Sequence, residues 1–297
     1  MNIQEFAEKA RKQIAGILNC NVLYKEVEKL NGSWRHSIII LEPGSNIAPT
    51  LYLEPFYNMY LDSRDWKETI NQIIVAYQAD RFPKCLDMEW FKDFNKVQKL
   101  IFHKLINFEA NKRLLEDIPY TRYLDFAIVY CVHFQNAETG NGSILIHNSH
   151  LDIWHCTTEN LASLAIENTP QLYPLMLSTI DEAIKELTGC KENCADNATI
   201  LFPFPMYVMS NNKKANGAIS ILYKDSLKNI ADKLNSDVVI LPCSVNEVIL
   251  LALEENDNFQ ELKNMVLQVN RFQLAKEDFL SDNIYLYRRS TDNIEII

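Results

Sequence analysis

The run His147-Asn-Ser-His150-Leu-Asp-Ile-Trp-His155-Cys156 gathers three of the chain's six histidines into one short segment. Imidazoles at that density can serve a metal site or acid–base catalysis, because histidine changes charge near neutral pH and ligates metals through a neutral ring nitrogen. Closed zinc sites use tight pairs such as Cys-x2-Cys or His-x3-His, so that paired ligands converge on one ion. The spacing of His147, His150 and His155 follows no such set, and the neighbours His155 and Cys156 diverge on most backbones. A structural reading suits the run better: His147 ends a strand, Asn148 or Ser149 caps a helical turn, and Leu151 and Trp154 enter the core. His147 and His150 remain weak metal-ligand candidates, and His150 is the candidate acid–base group.

Two cysteine positions offer other chemistry. Cys190-x3-Cys194 has a spacing seen in zinc knuckles, but no second pair follows it, so these too are weak metal candidates. Cys243 follows the apolar Val238–Leu241 run and precedes Ser244-Val-Asn-Glu247. A thiol at a helix N-terminus has its thiolate stabilised by unpaired N–H groups and becomes a nucleophile. The competing reading makes Ser244 and Glu247 a capping box and Cys243 a small core residue. Cys131 and His133, two apart on a strand, share a face, and a buried hydrogen-bonded histidine is the preferred reading there.

The elements that must position these residues read as follows. Asn2 with Glu5 caps a first helix bearing Phe6, Ala10, Ile14, Ile17 and Leu18. A hairpin follows, Val22–Leu30 and Ser33–Leu41 about an Asn31-Gly32 type I′ turn, then a strand at 49–53. A helix from Asp65 carries Ile70, Ile73, Ile74 and Tyr77, and after a linker at 81–87 Asp87 caps a short helix. A soft lobe boundary near 96 separates a helix-hairpin-helix lobe (1–96) from a larger lobe (97–297), within one unit spanning 1–297. Strands are expected at 99–107, 123–134 (central), 143–146, 205–210, 237–241, 248–253 and 283–287. Helices are expected from Thr157 or Thr158 to before Pro170, at 172–187, at 225–234, and from Asn258. The fold class is α+β, a mixed, largely antiparallel sheet built from hairpins with interspersed helices.

Bulk properties exclude several classes. Lys plus Arg is 29 against 39 for Asp plus Glu, a formal net charge of −10. That surface repels phosphate backbones and anionic membranes, so neither nucleic acid nor membrane is an expected partner. The seven glycines form neither a P-loop nor a dinucleotide fingerprint, and no cofactor is expected. The N-terminus is charged where a signal peptide would be apolar. An odd, scattered set of seven cysteines reads as reduced thiols. A cytoplasmic bacterial protein is expected.

Several phrases occur together in order: Ser45-Asn-Ile-Ala-Pro-Thr50, Lys104-Leu-Ile-Asn107 with Leu115-Glu-Asp-Ile-Pro119, Tyr123-Leu-Asp-Phe-Ala-Ile-Val129, Asn148-Ser-His-Leu151, Glu167-Asn-Thr-Pro170, Met206-Tyr-Val-Met-Ser-Asn211, and Leu241-Pro-Cys-Ser-Val-Asn-Glu-Val248. In order and spacing these resemble a domain-of-unknown-function family of gut Clostridia, and hence of Firmicutes, over nearly the whole chain. The C-terminal half is distantly similar to a second uncharacterised family from bacilli. Neither family supplies an activity to carry over. The resemblance implies that relatives often have serine in place of Cys243, and that Asn148-x-His150 belongs to the family pattern while His147, His155 and Cys156 do not.

The expected function is a non-catalytic protein-binding or regulatory module whose partner is a protein. Its surface is sought at Asn211, Ser244, Asn246 and Glu247, polar positions at strand ends with His150 as a neighbour. The alternative is a hydrolase-like enzyme using His150 with Glu247 or a bound metal, which requires those two side chains to converge.

Overall fold

The computed structural model describes residues 1–46, 48–79, 87–136, 140–188, 206–254 and 258–297. The linker at 81–86, most of the 188–198 loop, and Cys85, Cys190 and Cys194 lie outside the described residues. Contacts divide the chain into two compact units, Met1–Phe91 with Gln135–Gly142, and Lys92–Phe134 with Ser143–Ile297.

In the first unit, helix α1 (Ile3–Leu18) starts at the Asn2/Glu5 capping box, in which each side chain accepts the other residue's backbone N–H. Phe6, Ala7, Ala10 and Ile14 are buried on its inner stripe, whereas Ile17 points to solvent. Strands β1 (Asn21–Glu28), β2 (Trp34–Leu41) and β3 (Thr50–Tyr52) form an antiparallel sheet. Asn31 and Gly32 both adopt positive φ, the dihedral sign of a type I′ turn, but Lys29 is an extra residue that bulges β1. Helix α2 (Glu54–Ser63) was not expected: Pro55 opens it, and Phe56, Tyr57 and Tyr60 pack half-buried against the core without any residue of the helix being fully buried. Asp65 then caps α3 (Trp66–Ala79), which packs Ile70, Ile73 and Tyr77 into the core of α1 and the sheet.

The second unit opens with two single turns, α4 (Glu89–Lys92, begun in the first unit) and α5 (Phe94–Val97), capped by Asp87 and Asp93. Strand β4 (Ile101–Asn107) leads through the turn α6 (Lys112–Leu115) to β5 (Tyr120–Tyr123), β6 (Phe126–Asn136) and β7 (Gly140–Leu145). β6 is central, with β4 on one side and β5 and β7 also paired to it. The β5–β6 hairpin was missed; its two-residue turn places Leu124 in the left-handed region.

Helix α7 (Asn148–Trp154) precedes α8 (Thr158–Leu172), which Thr157 caps. α8 does not stop before Pro170 but runs through it. The donor that proline lacks would have served the carbonyl of Ile166, a residue that is exposed, so water can take that role. Toward its end α8 covers the open edge of β4: Thr169 accepts the His103 N–H, and Asn168 donates to the Ile101 carbonyl.

The expected helix at 172–187 is a strand and a helix instead, β8 (Leu175–Thr179) and α9 (Ile180–Thr188), joined by a Thr179/Glu182 capping pair. Then come β9 (Met206–Asn211), a 3-10 helix (Gly217–Leu222), α10 (Ser226–Leu234), β10 (Val238–Ser244), β11 (Glu247–Ala252), α11 (Phe259–Phe272), β12 (Tyr285–Arg288) and β13 (Asn293–Ile296). The six strands form one sheet in the order β13-β12-β10-β11-β9-β8. One face packs with α10, the 3-10 helix, Leu105 and Phe126; the other carries Val239, Leu241 and Leu286 under Leu262 and Val266 of α11. Every pairing with a described register is antiparallel, and the fold is α+β. Among the described residues no helix is long and apolar enough to cross a membrane.

Candidate functional site

Three of the four candidate surface residues do meet. β9 ends at Ser210-Asn211, the 3-10 helix begins at Gly217, and the β10–β11 hairpin turns at Val245-Asn246. Ser210 Oγ donates to the Asn246 carbonyl at 2.7 Å, Asn246 Oδ1 accepts the Asn216 N–H at 2.9 Å, and Asn246 N–H reaches Ser244 Oγ at 3.0 Å. Asn211 closes its own loop, donating to the Ala215 carbonyl and accepting the Lys213 N–H. Gly217 lies so close that a Cβ there would stand 2.2 Å from Ser210 Oγ and 2.5 Å from the Asn246 carbonyl oxygen. Asn211 is 1% exposed and Ser244 8%. The cluster is a clasp whose hydrogen-bonding groups are spent on one another, which is how buried polar groups are normally accommodated. Glu247 is exposed beside it, paired through the backbone with Ser244.

Cys243 is not at a helix N-terminus, and Ser244 and Glu247 are not a capping box. They sit in a β-hairpin, where the register shifts between Pro242 and Ser244. The apolar runs on either side pair as strands and leave only two residues for the turn. Burial, with Glu247 adding, pushes the Cys243 thiol up to about 12, the opposite of an activated nucleophile.

The histidine run folds around α7. His147 is the N-cap residue, and its Nδ1 lies 2.7 Å from Asp117 Oδ2. The His147 backbone N–H donates to His150 Nδ1 at 3.0 Å. An imidazole nitrogen that accepts carries no proton, so neutral His150 holds its proton on Nε2 and neither nitrogen has a lone pair for a metal or a substrate proton. Burial, assisted by His147, lowers the pKa of His150 and keeps it neutral. His147 is the reverse case: the contact to Asp117 favours the proton on Nδ1 and leaves Nε2 as the acceptor. Trp154 enters the core as expected, and His155 closes α7 in the left-handed conformation.

Among the described residues, the partners of His150 are His147 and Trp154, and no hydrogen bond or ion pair joins it to Glu247. Among the described residues no three metal-ligating side chains gather. Cys131 is wholly buried, and His133 pairs with the Tyr173 hydroxyl at 3.0 Å. A shallow depression of about 480 Å³ in the first unit, beside Asn19, Cys20, Leu41 and Glu42, is lined by none of the candidates.

A model for a family of unknown function (DUF5688) matches residues 3–289. The chain belongs to this family. No curated protein and no solved structure matches it. In this DUF5688 chain, sequence reasoning missed two polar centres. Asp117 is one, thirty residues from its histidine. The other is Asp125, whose carboxylate accepts from Ser281 Oγ and Tyr285 Oη, each at 2.7 Å, and from Asn283 Nδ2 at 3.1 Å. This ties the β5–β6 turn to β12, and burial with Asp125 raises the Tyr285 pKa. Nothing local marks either partnership in the sequence.

Proposed function

We infer that the chain is a non-catalytic, cytoplasmic protein-binding or regulatory module with a protein partner. The observation that carries this reading is the outer face of α11. Met265, Val269 and Phe272 follow helical spacing there and are exposed, Phe272 to 83%. Exposed Glu261 and Arg271 bound the stripe at its two ends, and between them its exposed neighbours Asn264 and Gln268 are neutral amides. Apolar anchors at such spacing are how a helix engages a partner groove. Four free thiols among the described residues suit a reducing compartment. The hydrolase alternative draws less support, since His150 offers no lone pair and Glu247 is not bonded to it.

The test compares the wild-type chain with a Met265→Asp, Phe272→Asp variant, matched for circular dichroism, in cross-linking from native lysate. Proteins recovered with wild type and lost from the variant are the expected result. Equal recovery by both would overturn the assignment of α11.

A further inference from the structure

Among the described residues, the six-stranded sheet has an unprotected edge at β8. Asn212 N–H donates to the Pro174 carbonyl, which fixes the pairing of 174 with 212 as a hydrogen-bonded one. Alternation along an antiparallel ladder then turns Met176 and Ser178 toward β9 and Leu175, Leu177 and Thr179 outward. The outward Thr179 N–H is taken by Glu182 Oε2 at 2.8 Å. Among the described residues, nothing meets the outward N–H and C=O of Leu175 and Leu177.

Other edges are blunted in the ways sheets normally use. α8 covers β4; β1 carries Lys25, Glu26 and Glu28; β5 carries Arg122; β13 carries Glu295; β7 holds two glycines in six residues; β3 has three residues. β8, Leu-Met-Leu-Ser-Thr, has no charge, proline or glycine, and Leu175 is 41% exposed.

We propose that the β8 edge accepts an extended segment of another protein by strand addition, resting on the protein-binding reading above. Two N–H and two C=O groups, on Leu175 and Leu177, supply the main-chain ladder, and Glu182 ends it at Thr179. Residues of the incoming strand that flank Leu175 and Leu177 are apolar. Beyond Thr179 the carboxylates of Asp181 and Glu182 open α9, so the segment carries Lys or Arg at that end. The formal charge of −10 favours this basic partner and opposes a second copy, whose own Asp181 and Glu182 would enter the pairing.

The experiment selects peptides from a random phage-displayed library on the full chain and measures their affinity for wild type and Leu177→Pro. The N–H removed by that substitution points outward, so the β8–β9 ladder keeps its bonds. Leu175→Lys, which places a charge on the edge, serves if the proline variant fails to fold. The expected peptides alternate apolar residues, carry Lys or Arg, bind wild type at least about ten-fold tighter than the edge variant, and slow amide exchange at Leu175 and Leu177. Three results would overturn the proposal: no peptide is enriched, enriched peptides bind both proteins equally, or the wild type forms a dimer in sedimentation that the edge variant loses. Peptides that ignore the edge variant but are lost on Phe272→Asp sink strand addition while leaving the protein-binding reading intact.

Discussion

His103 sits in β4 opposite Tyr130, 5% exposed, with its backbone N–H on Thr169 and its Nε2 without a hydrogen-bond partner among the described residues. Burial lowers its pKa from 6.5 to about 4. Desolvation penalises the charged form, so the folded chain holds this imidazole neutral while the unfolded chain protonates it near 6.5. The folded pKa is depressed, so this histidine leaves stability untouched above pH 6.5 and removes it progressively as pH falls toward 4. A gap of roughly 2.5 units corresponds to about 3 kcal/mol in full, of which roughly 2.5 kcal/mol is lost between pH 7.5 and 4.5. Against a typical domain stability of about 5–15 kcal/mol that is a large share. Carboxylates and other histidines titrate in the same range, so the informative quantity is the difference from His103→Leu, an apolar side chain of similar bulk. Urea unfolding at pH 7.5, 6.0 and 4.5, read by hydrogen exchange of β4 and β6 peptides, resolves this unit. At pH 7.5 the leucine variant should match or exceed wild type, because it removes an orphaned polar atom worth about 1–3 kcal/mol. At pH 4.5 it should exceed wild type by a further 2–3 kcal/mol or so. Parallel pH profiles for the two proteins would refute the reasoning.

Other expectations follow from the same kind of contact. Gly217→Ala places a Cβ against Ser210 Oγ and the backbone of Asn246 and Asn211, and the backbone atoms cannot swing away. The clasp should lose about 2–3 kcal/mol, seen as a melting temperature lower by roughly 5–10 °C; an unchanged melting temperature would contradict the packing. Cys243, its thiol near 12, should alkylate with iodoacetamide at pH 8 on the order of a thousand-fold slower than an ordinary thiol. Peptide mapping by mass spectrometry measures it, and labelling at the rate of a free thiol would restore it as a nucleophile candidate. Nitrogen-15 NMR at pH 7.5 should show His150 protonated on Nε2 and bare on Nδ1; the opposite tautomer would reopen His150 as a base or ligand.

What could be read from the sequence depended on how far apart the bonded partners lie. Asn2 with Glu5 and Asp65 with Glu68 bond three residues apart, and these helix starts were legible. Thr179 with Glu182 carries the same signature and was overlooked, because Leu175, Met176 and Leu177 are good helix formers and only pairing with β9 makes them a strand. Ser244 with Glu247 also has that spacing, yet it spans a hairpin, since strand-forming runs on both sides compete with a helix and win. The motif therefore identifies a turn of chain, and the flanking periodicity decides which kind. The candidate site fails at longer range. His150 has its tautomer set locally, by the N–H of His147, but His147 has its own set by Asp117 thirty residues earlier. Asp125 meets Tyr285 at a separation of 160. Those contacts exist only after the sheets have formed, so no local spacing rule contains them. The same holds for the β8 edge: its exposure follows from which neighbour each strand finds, a property of the sheet order rather than of any five residues.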